Sequence, residues 1–400
     1  MFNIRKKNIK ELDLVLLFAT LIISIYGLVI LYSAYGGNFS EVRTQIISTI
    51  LGFIIIAILC TMDLDVLKKF YWWIYGIGLG LLVLTLIFGQ GLDEWGAKSW
   101  VYIGSFSFQP SEFVKVGLIF AFAAYLDKHK YTINEPKKLI EALVFVAIPV
   151  VLILLQPDFG TAMVYLFFIA AMLFVAGLSW KWIALFAIGG LAAGFVVLSN
   201  LSGYRADRIE NFLNPARDTS GSNWQQQQGM IAIGSGMLSG RGYLNGTQSQ
   251  YGYVPEKETD FIFSVLAEEL GFIGAIILVI LFTVIILRLV RIAKKSNNTF
   301  ISIMVTGIAA MLFIHIFENI GMTIGLMPVT GIPLPFLSAG GTFQLICLIM
   351  VGLALSASMQ KSYKDDDVVD YETIKVIDPN LLRESKKREI KNTTTNELTP

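Results

Sequence analysis

About ten long apolar runs determine what this chain can fold into. A helix needs about 20 apolar residues to cross the hydrocarbon core of a bilayer. The runs lie near residues 12–34, 43–61, 70–88, 111–126, 139–156, 159–178, 180–200, 262–287, 300–322 and 342–359. The fourth is short and carries Glu112 and Lys115, and only Gln156-Pro157-Asp158 splits the fifth from the sixth. The pattern predicts an all-α polytopic membrane protein of about ten transmembrane helices.

Composition points to the same class. Of the 400 residues, 55% are hydrophobic and 15% are charged, whereas soluble domains carry about 25% charged residues. Cys60 and Cys347 both lie inside apolar runs, so neither a disulfide framework nor a metal pattern is indicated. The first run is too long for the apolar core of a signal peptide and has no cleavage site after it. We therefore expect it to be a retained helix, and we expect no nucleic-acid partner.

Basic residues in the short loops predict the orientation, because Lys and Arg resist translocation and mark the cytoplasmic side. They precede the first run and follow the second, fourth, sixth and eighth. These residues are Arg5, Lys6, Lys7, Lys10, Lys68, Lys69, Lys128, Lys130, Lys137, Lys138, Lys181, Arg288, Arg291, Lys294 and Lys295. All of them fall on one side if ten helices cross the membrane and both termini are cytoplasmic.

This orientation divides the chain into three parts. Residues 1–11 form a cytoplasmic N-terminus, 12–361 a ten-helix membrane domain, and 362–400 a polar cytoplasmic tail that we expect to be disordered. Three segments on the outer face do not resemble linkers, and they are 89–110, 201–260 and 323–341. The largest, 201–260, is an extracellular loop between the seventh and eighth helices.

The large outer loop holds most of the candidate chemistry. Arg205, Arg208 and Arg241 can form bidentate hydrogen bonds to phosphate oxygens, and the glycine-rich stretch 234–242 lets backbone N–H groups approach an anion. Two other interpretations remain open. The glycines can serve as turns between re-entrant helices, and the arginines can pair with nearby carboxylates or phospholipid headgroups.

Other polar residues lie inside the apolar runs. Glu112 and Lys115 stand three apart, a spacing at which helical side chains meet, and a mutually neutralised structural pair is the simplest interpretation. Asp158 stands at a helix start, where we expect it to cap free N–H groups. His315 and Glu318 share a helical face in the ninth run, and a single buried His is more often hydrogen-bonded than catalytic.

Asp260 differs from these residues because it stands where the outer loop enters the eighth run. Partial desolvation and the like charges of Glu256 and Glu258 raise the pKa of a carboxylate towards the range of a general base. An alternative is that Thr259 and Asp260 only cap the eighth helix, where a carboxylate interacts favourably with the helix dipole. The residues alone leave both interpretations open.

Several long motifs occur in an order that resembles one known family. They are Gly96-Ala97-Lys98-Ser99-Trp100, Phe108-Gln109-Pro110-Ser111-Glu112-Phe113-Val114-Lys115, Gln156-Pro157-Asp158-Phe159-Gly160-Thr161-Ala162, Thr259-Asp260-Phe261-Ile262-Phe263, Glu268-Glu269-Leu270-Gly271, and the run from Gly325 to Phe336. Together they resemble the SEDS family of RodA, FtsW and SpoVE over nearly the whole chain. The Val-Pro-Glu-Lys stretch at 254–257 and the Pro-Val-Thr-Gly-Ile-Pro stretch at 328–333 are more similar to the RodA branch.

The resemblance implies a ten-helix peptidoglycan glycosyltransferase of the bacterial cytoplasmic membrane. Its substrate would be lipid II, an undecaprenyl-pyrophosphate-linked disaccharide peptide, and its partner a class B penicillin-binding protein that crosslinks the product. Carried over by motif, Asp260 is the essential carboxylate. The substrate contacts carried over with it are Trp100, Glu112, Lys115, Asp158 and Ser338.

The chain departs from the family pattern at two places. Ala339 stands where members commonly have Tyr in a Ser-Tyr-Gly-Gly stretch, and His315 and Glu318 stand where Gln and Asn are frequent. These differences bear on local cavity contacts and leave the reaction class unchanged.

The resemblance and the chemistry of the residues fit one mechanism. Asp260 would take the proton of a sugar 4-hydroxyl, which attacks the anomeric carbon of the growing strand and expels a lipid pyrophosphate. Arg205, Arg208, Arg241 or Lys115 would stabilise that leaving group, the electrostatic role that usually contributes most. A divalent cation, Mg²⁺ or Mn²⁺, would serve the same purpose, and the sequence leaves open whether one is needed.

Three rival interpretations accompany this one. A lipid II flippase would use membrane-embedded charges as a path and would show broken helices near the midplane. An FtsW-like division polymerase would share the chemistry and differ in its cellular role, and a scaffold for a crosslinking enzyme would need no reaction. The sequence leaves elongation, division and sporulation open.

Overall fold

The computed structural model of the protein describes residues 9–92, 97–104, 106–199 and 222–360. Within these ranges a helix of 17 residues or more lies at each of the ten predicted positions. Six of these helices are long and apolar enough to cross a membrane. The helical, multi-pass class is therefore confirmed, while ten crossings and their orientation remain predictions. The proposed tail, 362–400, lies outside the described residues.

The elements of the described residues follow a simple order. The helices are α1 (Leu14–Ala34), α2 (Phe39–Thr61), α3 (Leu64–Lys68), α4 (Tyr71–Phe88), α5 (Pro110–Lys128), α6 (Pro136–Leu154), α7 (Phe159–Val175), α8 (Trp180–Ser199), α9 (Ser222–Ser235), α10 (Thr247–Gln250), α11 (Ile262–Lys295), α12 (Thr299–Thr323) and α13 (Gly341–Ser358). Strands β1 (Val101–Ile103) and β2 (Phe106–Phe108) form an antiparallel hairpin before α5.

Short polar side chains define where several helices begin. Five N-cap residues accept a hydrogen bond from a backbone N–H two or three positions ahead, namely Asp13, Asn38, Asp63, Asp158 and Asn298. Such caps satisfy N–H groups that have no partner within the helix. The cap at Asn38 explains why α2 starts at Phe39, four residues before the start predicted from hydropathy.

The exposed surface of the helices is apolar and the interior contains polar groups. Large side chains such as Phe18, Ile77 and Phe272 are more than half exposed, whereas Gln45 and Lys115 are buried. This distribution is expected where the surroundings are lipid, because polar groups must then find their partners inside the protein.

Ion pairs join helix ends that the charge pattern predicts to be cytoplasmic. Arg288 of α11 donates from Nε to both carboxylate oxygens of Asp13 at 2.9 Å. Lys68 pairs with Asp127 at the end of α5. Helix α11 continues through its basic cluster to Lys295, beyond the predicted end at 287. The segment before α1 is thereby joined to α11, and α3 is joined to the end of α5.

Helix α11 is broken near its start, at Gly271, where φ is 66° and ψ is −164°. A break leaves backbone N–H and carbonyl groups without helical partners, and the loop 236–242 provides hydrogen-bond partners for them. The N–H groups of Arg241 and Gly242 donate to the carbonyls of Glu268 and Glu269, and those of Phe272 and Ile273 donate to Met237 and Leu238, at 2.9–3.1 Å. The glycine-rich stretch is thus packed against the broken helix.

The close approach at this break generates a stability prediction. Gly240 has φ of +80°, and a Cβ there would lie 2.0 Å from the carbonyl oxygen of Glu269. Gly252 has a similar φ of +75° with no atom within 4 Å of that position. We expect Gly252→Ala to lower the free energy of unfolding by about 1–2 kcal/mol, the strain of a left-handed backbone conformation at a residue with a Cβ. Gly240→Ala should lower it by several kcal/mol more, because the loop must also move away from α11.

Thermal unfolding of the two purified variants in detergent, followed by tryptophan fluorescence, checks this prediction. Gly252→Ala is the matched control for backbone strain. Equal losses of Tm in both variants would contradict the packing of the loop against the break.

Candidate active site

Asp260 lies on the turn that leads into α11, two residues before the helix starts at Ile262. Asp260 is partly exposed, whereas the next residue, Phe261, is fully buried. Phe261 occupies the N-cap position and makes no side-chain capping bond. Neither Thr259 nor Asp260 therefore occupies the N-cap position, because the chain enters the helix one residue later.

The outer segment 330–339, which connects α12 to α13, holds this turn in place. The hydroxyl of Ser338 donates to the carbonyl of Thr259 at 2.6 Å and accepts from the N–H of Leu334 at 2.7 Å. The N–H of Ala339 donates to the carbonyl of Glu258 at 2.8 Å. Ser338 is itself buried. The backbone immediately before Asp260 is therefore fixed to the outer segment.

The carboxylate of Asp260 faces the same segment. A Cβ built on Gly331 would lie 3.4 Å from Oδ2 of Asp260, and Gly331 has φ of +74°. The backbone carbonyl of Asp260 accepts a hydrogen bond from Nδ2 of Asn319 at 2.9 Å. Burial raises the pKa of Glu258 on this turn, and the charge of Glu256 contributes a smaller increase.

A buried polar cluster lies on α5 and α12, below the outer segment. Lys115 is fully buried, and its Nζ donates to Oε1 of Glu112 at 2.6 Å. The same nitrogen lies 3.0 Å from Nε2 of His315, whose Nδ1 lies 3.2 Å from the carbonyl of Pro333. The predicted Glu112–Lys115 pair is confirmed as an ion pair, and it is joined through His315 to the segment that holds Asp260.

Asp158 acts as the cap predicted from sequence. Its Oδ1 accepts from the N–H of Thr161 at 3.0 Å, and its Oδ2 accepts from Nε2 of Gln109 at 3.1 Å. Two residues later, a Cβ on Gly160 would lie 3.2 Å from the carbonyl of Thr330. The start of α7 therefore packs directly on the outer segment beside Asp260.

Trp100 lies at the base of the β1–β2 hairpin. Its backbone pairs with Gln90 in an antiparallel bridge, and the N–H of Lys98 donates to the carbonyl of Gln156 at 2.9 Å. The hairpin is thereby attached to the turn before Asp158. The Trp100 residue is partly exposed.

The arginines of the large outer loop are placed only in part. Arg241 is exposed, and its Nε donates to the hydroxyl of Ser235 at 3.0 Å. Arg205 and Arg208 lie outside the described residues. In the part of the chain that the structure describes, no three His, Cys, Asp or Glu side chains converge as a metal site.

Asn319 is the site residue that sequence analysis missed. Its Nδ2 donates to the carbonyls of both Asp260 and Ile332, at 2.9 and 2.8 Å. One signal was available, because Asn319 is a polar residue in an apolar run, four positions after His315 and on the same helical face.

The buried ion pair generates a second stability prediction. Lys115→Met leaves Glu112 buried without a cation, which costs about 3–5 kcal/mol. The double variant Glu112→Gln, Lys115→Met removes both charges, so we expect it to recover much of that loss. Chemical unfolding of the purified single and double variants measures the coupling energy between Glu112 and Lys115. If the losses of unfolding free energy simply add, the two residues are not coupled and the prediction fails.

Comparisons with known proteins agree with this arrangement. The family model of FtsW, RodA and SpoVE, described as cell cycle proteins, matches residues 12–363. Stage V sporulation protein E of Bacillus subtilis (strain 168) is 37% identical over 360 residues, covering 88% of this chain and 98% of that protein. Peptidoglycan glycosyltransferase MrdB of Escherichia coli (strain K12) is 34% identical over 349 residues, covering 86% and 93%.

Solved structures share the fold. A chain of a peptidoglycan synthase complex, solved to show how polymerization and crosslinking are coordinated, superposes with a TM-score of 0.76 at 31% identity, covering 86% of this chain and 97% of that one. The rod shape determining protein RodA of Thermus thermophilus superposes with a TM-score of 0.65 at 29% identity, covering 88% and 97%. The chain is therefore a multi-pass membrane protein that belongs to the FtsW, RodA and SpoVE family.

Proposed function

We propose that this protein is a peptidoglycan glycosyltransferase that polymerises lipid II at the outer face of the bacterial cytoplasmic membrane during cell elongation. One observation carries the proposal. Asp260 is a partly exposed carboxylate on the turn that leads into α11, and the buried Asn319 holds its backbone carbonyl. The chain's relatives include proteins named peptidoglycan glycosyltransferases.

In the proposed reaction Asp260 is the general base. It accepts the proton of the sugar 4-hydroxyl while that oxygen forms a bond to the anomeric carbon of the growing strand. The bond between the anomeric carbon and the lipid pyrophosphate breaks, and its electron pair leaves with the pyrophosphate. A base must lie within hydrogen-bonding distance of the hydroxyl that it deprotonates, so the position of Asp260 is decisive.

The leaving group gains negative charge that cations must stabilise. We assign this role to Arg241, Arg205 and Arg208 rather than to Lys115. The ammonium group of Lys115 is buried and bonded to Glu112 and His315, whereas Arg241 is exposed on the outer loop. Trp100, partly exposed on the neighbouring hairpin, is the proposed contact for the sugar.

A flippase remains the rival function from another class of protein. The break at Gly271 is the structural feature that favours it, because transporters contain broken helices. The groups freed by that break are satisfied by the loop 236–242, and the embedded charges of Lys115 and Glu112 neutralise each other. These contacts favour a fixed scaffold around an outer site over a path that opens to both faces.

Replacing Asp260 tests the catalytic assignment. We expect Asp260→Asn, which keeps the shape of the side chain but cannot act as a base, to lower polymerisation of purified lipid II in detergent by at least about 100-fold, the lower part of the range for a general base. Glu256→Gln, an exposed carboxylate on the same turn, is the matched control and should retain activity.

Gel analysis of glycan strands gives the readout, and detergent solution contains no bilayer to flip across. Undiminished polymerisation by Asp260→Asn would refute the base assignment. A wild-type protein that polymerises nothing but moves lipid II between the leaflets of vesicles would favour the flippase.

The partner is proposed to be a class B penicillin-binding protein, supported by the similarity to a chain of a peptidoglycan synthase complex. We expect co-reconstitution with the cognate partner to raise the polymerisation rate over that of the protein alone. A transpeptidase-inactive partner is the control, since it should activate equally. An unchanged rate with a bound partner would argue for a scaffold role.

A further inference from the structure

Helix α12 presents two buried side chains towards the outer segment 330–339. His315 and Asn319 are four residues apart, so they share one face of the helix, and both are fully buried. Each bonds the outer segment 330–339 through adjacent backbone carbonyls, Pro333 for His315 and Ile332 for Asn319. Neither hydrogen bond takes part in the proposed glycosyl transfer.

The amide of Asn319 joins two segments of the chain that are distant in sequence. Its two N–H bonds go to the carbonyls of Asp260 and Ile332. Because both partners only accept hydrogen bonds, the NH₂ group must face them, and both of its hydrogens are used. Asp260 is thereby tied to the residue that follows Gly331, the glycine against which its carboxylate lies.

The imidazole of His315 extends this connection to the buried ion pair. The carbonyl of Pro333 can only accept, so Nδ1 of His315 carries the hydrogen, and Nε2 is left to accept from Nζ of Lys115. The ring is therefore neutral and bridges two groups. A continuous path runs from Glu112 through Lys115 and His315 to the outer segment.

We propose that His315 and Asn319 are positioning residues that set the place of the Asp260 carboxylate at the reaction centre. The proposal rests on the proposed function, in which Asp260 is the general base. Neither side chain is expected to touch substrate. They act through the backbone of Asp260 and of the outer segment, and a misplacement of about 1 Å can cost about 100-fold in rate.

Paired variants separate hydrogen bonding from simple packing. Asn319→Asp keeps the shape of the side chain and loses the NH₂ donors, and His315→Leu loses both ring contacts. His315→Gln supplies an NH₂ donor and a carbonyl-oxygen acceptor in place of the two ring nitrogens. Thr306→Ala is the control on the same helix, because among the described residues its hydroxyl bonds only to the carbonyl of Ser302 within α12.

We expect Asn319→Asp and His315→Leu to lower kcat about 100-fold with the KM for lipid II nearly unchanged. His315→Gln should recover most of the activity that His315→Leu loses, and Thr306→Ala should match wild type. Equal losses in His315→Gln and His315→Leu, or a raised KM at unchanged kcat, would overturn the proposal.

Hydrogen exchange gives a readout that does not depend on activity. Asn319→Asp and His315→Leu should accelerate exchange at the backbone amides of 256–262 and 330–339, while Thr306→Ala should not. Unchanged exchange in both variants would contradict the proposal.

Asp260→Asn in the same assay distinguishes a failure of the positioning role from a failure of the base assignment. An inactive Asp260→Asn beside fully active Asn319→Asp and His315→Leu variants overturns the positioning role alone. A fully active Asp260→Asn overturns the base assignment, and the positioning role fails with it.

Discussion

The absence of water in the hydrocarbon core is the constraint on which the structure depends. A polar group at that depth must find its partner within the protein or lose several kcal/mol. Lys115 meets this requirement with Glu112 and His315. The break at Gly271 meets it with backbone groups of the loop 236–242. Buried polar contacts thus satisfy both a charge inside the bundle and a break in a helix.

The same contacts build the candidate site. The segment 330–339 lies between α12 and α13, and it is held by Asn319 and His315 from one side and by the start of α7 from another. Asp260 is attached to this segment through its own carbonyl and through its neighbours Glu258 and Thr259. A partly exposed carboxylate is therefore mounted on a backbone that buried groups hold, which is the preorganisation that electrostatic catalysis requires.

Sequence analysis predicted the positions of the ten long helices because hydropathy is a property of contiguous residues. It also predicted the cap at Asp158 and the ion pair of Glu112 and Lys115, because both depend on residues at most three positions apart. It left the N-cap of α11 open between two interpretations of Asp260, and it did not predict the break at Gly271. The glycine alone does not specify a break, since the packed loop that satisfies the freed groups lies about 30 residues earlier in the chain.

The sequence by itself determined that this protein spans a membrane, that its helices occupy ten apolar runs, and that its motifs are those of the FtsW, RodA and SpoVE family. Only the tertiary structure decided which polar groups meet. His315 reaches Lys115 across 200 residues of sequence, and Asn319 reaches Asp260 across 59. The physical reason is that hydropathy sums over neighbours along the chain, whereas the partner of a buried hydrogen-bonding group depends on how the helices pack.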